Sequence, residues 1–259
     1  MKNDSKSATG FTLIELLVVM VIIAALAALL LTILSRARAK AQRTVCESNL
    51  RQINLGVRMY SDDSNDASPT GAITNRDFFT PLLSGYKSLM KNYVGLKGAS
   101  SPQDKLFACP ADILNPWMFF GTNYSSLYVR KSIHDVSDFD YSSYVFNGGD
   151  NITRTLRAGT QTTSITLPGL GNVKLSSVRH PERTILLAEA PALFPYSWHD
   201  PSSHGYRGIS GTEFNNSKDV VSFVDGHVSY IKMFLKYHDR GFAFFYNPPA
   251  SYEYQWTPD

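Results

Sequence analysis

Chemistry has few places to reside in this chain of 259 residues. Trp198-His199-Asp200-Pro201-Ser202-Ser203-His204 gathers the residue types of a metal centre or a hydrolytic relay. There is, however, no His-Glu-x-x-His, Gly-x-Ser-x-Gly or Cys-x-x-Cys, the spacings that put such groups on one helix face or one turn. A run of this composition reads first as a surface loop, so no catalytic residue and no resident metal is expected. Asp200, Asn215, Asn216 and Asp219 offer hard oxygens for Ca2+, but their spacing matches no known ligand loop. No other cofactor is indicated. Glu15 stands apart, as the only charge within FTLIELLVVMVIIAALAALLLTIL, residues 11–34. A carboxylate at mid-membrane costs roughly 2.5–3.5 kcal/mol on insertion scales and less near an end. It is either a functional acid or a tolerated one near the interface of a signal-anchor.

The element that positions Glu15 is the apolar run itself. As a helix, these residues rise by about 1.5 Å each and span roughly 36 Å, enough to cross a bilayer core with some tilt. The preceding Met1–Gly10 is short and polar, with Lys2 and Lys6. A cleaved secretory signal has a similar start, and Ala25-Leu26-Ala27 mimics a cleavage site. The apolar run continues beyond it, and Glu15 sits inside what would be the apolar centre; both argue for an uncleaved helix.

A lysine-containing leader followed by Gly10-Phe11-Thr12-Leu13-Ile14-Glu15 and an apolar helix resembles the type IV pilins and type II secretion pseudopilins. The resemblance implies cleavage between Gly10 and Phe11 by a prepilin peptidase on the cytoplasmic side, N-methylation of Phe11, and no enzymatic activity. It also implies that Glu15 pairs with the Phe11 amine of a neighbouring subunit. The physics agrees with that role. A lone carboxylate in an apolar bundle neutralises or seeks a cation, and such a pair fixes register better than it stabilises. Further matches to a group of pilin-like proteins are Cys46-x-x-Asn49-Leu50-Arg51-Gln52, Cys109-Pro110-x-Asp112 and Tyr144-x-x-Asn147. A C-terminal His-x9-Asp-Gly signature is matched by Asp225-Gly226, with Asn215 in place of the His and hence no titratable group there.

The first helix is expected to extend well past residue 34. No Pro precedes Pro69, and Thr32 stands where many members of the resembled class have the Pro that removes a backbone donor. Cys46, Leu50, Ile53, Val57 and Tyr60 form one apolar stripe at helical spacing, which needs a sheet to cover it. The resulting fold class is α+β: a pilin-like long helix, half transmembrane and half amphipathic, packed on an antiparallel β-sheet with large loop insertions. The expected segments are a leader (1–10), a transmembrane and assembly half (11–34), an amphipathic half (35–62) and a globular domain (63–259). Short helical turns are read at Phe78–Leu83 and Tyr86–Tyr93, and strands at Asn123–Arg130, Tyr141–Asn147 and Thr184–Glu189. Thr160–Thr166 suits an exposed edge hairpin. Val220–Ile231 reads as a hairpin closed by a two-residue type I′ turn at Asp225-Gly226. The aromatic tail, Gly241–Asp259, is expected to wrap the surface or meet another subunit.

Cys46 and Cys109 are the two cysteines. Export, as the resemblance implies, puts both in an oxidising compartment, where a single pair reads as a disulfide; two buried free thiols are the alternative. The net charge of +3 gives no case for nucleic acid. Arg36, Arg38, Lys40 and Arg43 follow the apolar run and either face lipid phosphates before assembly or form a solvated face. The expected protein is a structural subunit of a type IV pilus or type II secretion filament. It would be anchored by one pass in a bacterial inner membrane, with its domain in the periplasm, before joining other pilin-like subunits through the N-terminal helices. The alternative is a membrane-anchored ectodomain that binds a glycan or another extracellular ligand.

Overall fold

The computed structural model describes residues 12–70, 85–112, 132–149, 153–158, 161–166, 169–193, 197–200, 213–214, 217–236 and 247–259. Its backbone contacts divide the chain into two compact units, Met1–Ala41 and Gln42–Asp259. Helix α1, Leu13–Asp63, is continuous through residue 32. In the first unit every described side chain from Leu13 to Leu34 is exposed, and this stretch is long and apolar enough to cross a membrane.

The helical stretch that belongs to the second unit is amphipathic. Cys46, Leu50, Ile53 and Val57 are fully buried, at the spacing of a single helix face. The helix ends where Asn65 and Asp66 turn left-handed, φ 56° and 67°, and Asp66 N–H returns to the Ser61 carbonyl at 2.8 Å. That bond closes the last turn as glycine usually does. The short helix α2, Tyr86–Met90, crosses α1 at Gly56, where a Cβ would lie 2.5 Å from Met90 Cε. A larger residue there would push the Met90 and Val94 side chains aside.

The principal sheet holds β1 (Tyr144–Phe146), β4 (Ile185–Glu189), β6 (Lys218–Phe223) and β7 (Val228–Lys232) in that order, all antiparallel. Two further antiparallel pairs join β2 (Thr153–Ala158) to β3 (Gln161–Thr166) and β5 (Glu213–Phe214) to β8 (Leu235–Lys236). The β2–β3 pairing supplies the hairpin read around Thr160–Thr166. The principal sheet is buried on both faces. Tyr144, Phe146, Leu187 and Val220 pack with the α1 stripe, whereas Val145, Ala188, Val221 and Ile231 pack with Tyr254 and Trp256. This alternation follows from the two-residue period of a strand. It also explains why Ile185–Ala188 is apolar without interruption, each such side chain contributing roughly 1.5–3 kcal/mol on burial.

Two sequence expectations are corrected here. Tyr254 and Trp256 are core residues, 1% and 3% exposed, so the tail does not simply wrap the surface. It is held by main-chain bonds from Ile185 N–H to the Gln255 carbonyl and from Gln255 N–H to the Arg183 carbonyl. The β6–β7 turn is not type I′ either. Only Gly226 has positive φ, 101°, while Phe223 N–H bonds the His227 carbonyl and Gly226 N–H the Phe223 carbonyl, each at 3.0 Å. This is a three-residue loop, Val224–Gly226, ending on a left-handed glycine. Asp225 Oδ1 accepts the His227 N–H at 3.0 Å, which favours the longer loop. The strand at Asn123–Arg130 and the helical turn at Phe78–Leu83 lie outside the described residues.

Candidate functional site

Glu15 lies in the first turn of α1 and is bonded within its own chain. Thr12 N–H and Thr12 Oγ1 donate to Glu15 Oε2 at 2.9 and 2.7 Å, and Glu15 N–H donates to Thr12 Oγ1 at 3.2 Å. This reciprocal arrangement is a capping box, Thr-x-x-Glu, satisfying donors that a helix start leaves open. The pattern is visible in Thr12-Leu-Ile-Glu15, beside the intermolecular role that the resemblance implies for Glu15. Its chemical consequence is that the carboxylate has partners before any subunit arrives. Gly10 and Phe11 lie outside the described residues.

The motifs past the first turn converge on the join between α1 and the sheet. Asn49 Nδ2 donates to the Ala108 carbonyl and to Tyr144 Oη, each at 3.1 Å. Asn54 Nδ2 donates to the Phe223 carbonyl at 2.7 Å, and Arg58 Nη2 to the Val224 carbonyl, so α1 grips the turn that Asp225 and Gly226 close. Asn147 Nδ2 donates to the Ile185 and Trp256 carbonyls at 2.7 and 2.8 Å, tying the sheet to the tail. Asp112 accepts from Ile133 N–H, His134 N–H and Ser143 Oγ at 2.8–3.1 Å, and burial pushes its carboxyl up to about 6 against the pull of those donors. Arg43, read with the basic cluster, stacks its guanidinium over Tyr230, 4.5 Å from the ring centre. Arg36, Arg38 and Lys40 are exposed.

Cys46 and Cys109 are joined in a disulfide, with Cα atoms 5.4 Å apart. Around it lies a buried polar group that the sequence did not announce. Glu189 at the end of β4 is 0% exposed and His199 is 8% exposed, their Oε1 and Nε2 atoms 2.8 Å apart. The same atoms lie 3.3 and 3.7 Å from Cys109 Sγ. Glu189 Oε2 accepts the Val220 N–H at 3.0 Å. Asp219 is fully buried on β6, and neither of its carboxylate oxygens has a hydrogen-bond partner among the described residues. Burial, then the nearby Glu189, push its carboxyl well above the usual range. The run from Trp198 is therefore no plain surface loop: His199 is inside, Asp200 is half-buried, and residues 201–204 lie outside the description. Of the oxygens offered for Ca2+, Asp219 is a core residue and Asp200 is half-buried, while Asn215 and Asn216 lie outside the described residues. Only Glu189 carries a sequence hint, an acid ending an otherwise apolar strand.

Comparison with known proteins adds one match: residues 5–31 fit the prokaryotic N-terminal methylation motif. No curated protein and no solved structure matches the chain. The motif covers the end of the leader, Glu15 and most of the exposed apolar stretch. The chain thus carries a prokaryotic N-terminal methylation motif, consistent with a type IV pilin-like precursor, at the start of a helix long and apolar enough to cross a membrane, and that helix continues into a domain with an antiparallel sheet.

Proposed function

We propose that this chain is a structural subunit of a type IV pilus-like or type II secretion filament. Prepilin peptidase cuts it between Gly10 and Phe11, and Phe11 is then N-methylated. The membrane holds it by residues 11–34, with the disulfide-bonded domain in the periplasm, until it joins pilin-like neighbours through its N-terminal helix. One observation carries this reading: the methylation motif leads directly into an apolar helix whose described side chains from Leu13 to Leu34 are exposed. On assembly, the Glu15 carboxylate exchanges its bonds to Thr12 for the Phe11 ammonium of a neighbour. The exchange satisfies both charges and sets the axial step between subunits.

A ligand-binding ectodomain is the second reading. A cleft of about 490 Å3, lined by Lys218, Tyr230, Lys232, Tyr252 and Glu253, supports it, since aromatic faces beside charged groups suit a glycan or another polar ligand. Electron microscopy of cells expressing the chain separates the two. A filament subunit gives polymers that disappear in Glu15→Ala while the protein is still processed. An ectodomain gives none in either strain.

A further inference from the structure

The four donor atoms of Cys46, Cys109, Glu189 and His199 lie within 4.8 Å of one another. They come from separate segments: α1, the residue before Pro110, the end of β4 and the stretch after residue 196. Zn2+ held tetrahedrally at about 2.3 Å from sulfur and about 2.0–2.1 Å from nitrogen or oxygen gives edges of about 3.5 Å from sulfur to either lighter atom. The observed separations from Cys109 Sγ are 3.7 Å to His199 Nε2 and 3.3 Å to Glu189 Oε1. Two pairs are closer than such a site allows: the sulfurs, which are bonded to each other, and Glu189 Oε1 with His199 Nε2, whose 2.8 Å separation is about 0.5 Å short of the roughly 3.3 Å edge between two light ligands, so an entering ion spreads both.

The orientation of His199 argues for a ligand set rather than a nucleophile. In a Cys-His-acid relay the two ring nitrogens face different partners. Here one nitrogen, Nε2, faces both the sulfur and the carboxylate, and Nδ1 faces no hydrogen-bond partner. Three groups therefore converge on one point. Glu189 is held towards that point because its other oxygen is bonded to the Val220 N–H, the kind of outer contact that orients metal ligands.

We infer that the dithiol form of this chain binds one Zn2+ through Cys46, Cys109, Glu189 and His199, and that closing the disulfide expels it. The newly made chain carries two thiols, which lose two protons as they bind the ion. An oxidising protein disulfide then accepts two electrons and two protons to become a dithiol. The two thiolates become the Cys46–Cys109 bond and Zn2+ leaves. A dithiol reductant runs the exchange backwards. In either state α1 is tied to the domain at the same place, first by the ion and then by the covalent bond.

The test uses the full chain in detergent, reduced by a phosphine and titrated anaerobically with Co2+. One Co2+ per chain is expected, with the thiolate-to-cobalt charge-transfer band and the visible spectrum of a tetrahedral site, displaced by Zn2+ and absent from the disulfide form. Cys46→Ser should abolish the thiolate signature of the pair. Glu189→Gln and His199→Asn, each checked as folded in its oxidised form, should weaken binding at least tenfold. If reduction unfolds the chain, Zn2+ must restore its near-ultraviolet circular dichroism. Absence of the thiolate band, equal affinity in the Gln and Asn variants, equal binding by the oxidised chain, or failure of Zn2+ to refold a reduced, unfolded chain would each overturn the inference.

Discussion

Residues 13–41 and 42–63 of helix α1 share one hydrogen-bonded backbone and follow opposite rules of composition. The first stretch is apolar on every side up to Leu34, and its described side chains there are all exposed. The second keeps one apolar stripe and adds Asn49, Asn54 and Arg58 at positions where they reach main-chain carbonyls of the sheet side. A helix that is hydrophobic all round must find its surroundings outside the chain, in lipid or in other helices, whereas an amphipathic one finds them in its own domain. The polar contacts sharpen the contrast. Glu15 is satisfied locally and exposed, so its partners are exchangeable. Asn54 is buried against Phe223 and Ser222, so its partners are fixed.

Breaking the second stretch should damage the domain and leave processing untouched. The largest loss is expected from replacing both cysteines by serine. The bridge joins residues 63 apart in sequence, and the chain-entropy model gives about 4 kcal/mol for such a loop. Chemical denaturation of the oxidised and variant domains measures it, and equal midpoints would show that the bridge does not hold the helix to the sheet.

A second pair of variants tests the comparison within α1 itself. Leu50→Ala removes a fully buried side chain and should cost roughly 3.5 kcal/mol of domain stability. Leu30, 66% exposed, should cost nothing measurable in the same assay when changed to Ala, while weakening membrane retention or assembly. Equal losses from both would mean that the first stretch has a partner in its own chain.

Protonation offers a smaller effect on the same join. The Asp112 carboxyl, which braces the segment after Cys109, has a folded value of about 6 against an ordinary 3.8. The folded state therefore binds that proton more tightly than the unfolded state. Its contribution is fully present below the lower value and is lost as pH rises through about 6, up to about 3 kcal/mol at roughly 1.4 kcal/mol per unit. Denaturation midpoints between pH 4 and 7 should show the fall, and Asp112→Asn should flatten it. An unchanged slope in the variant would assign the proton elsewhere.

The parts of this architecture that were legible in sequence are those encoded by short periods. The spacing of Cys46, Leu50, Ile53 and Val57 announced both the helix and its buried face, and Val220–Ile231 announced a hairpin. What remained hidden depends on side chains that meet across long separations. Tyr254 and Trp256 read as surface aromatics because nothing local shows that Gln255 pairs with Thr184. The loop at Asp225-Gly226 read as the shorter turn because the dipeptide favours it, while Asp225 bonding to His227 selects the longer one. Glu189 and His199 are ten residues apart with no motif spacing, and only the end of β4 and the stretch after residue 196 bring them to the disulfide. Thr12 and Glu15 are the opposite case. Their Thr-x-x-Glu spacing is a local capping pattern, visible in sequence alone.

The central claim is that the first stretch of α1 is made to be exposed at a cut, methylated N-terminus and completed by other subunits. Intact-mass and N-terminal peptide spectrometry of the protein isolated from membranes tests it most directly. The expected chain begins at Phe11 and carries one added methyl on its amine. A chain that still begins at Met1, or one that begins after Ala27 and has lost the helix, would contradict it.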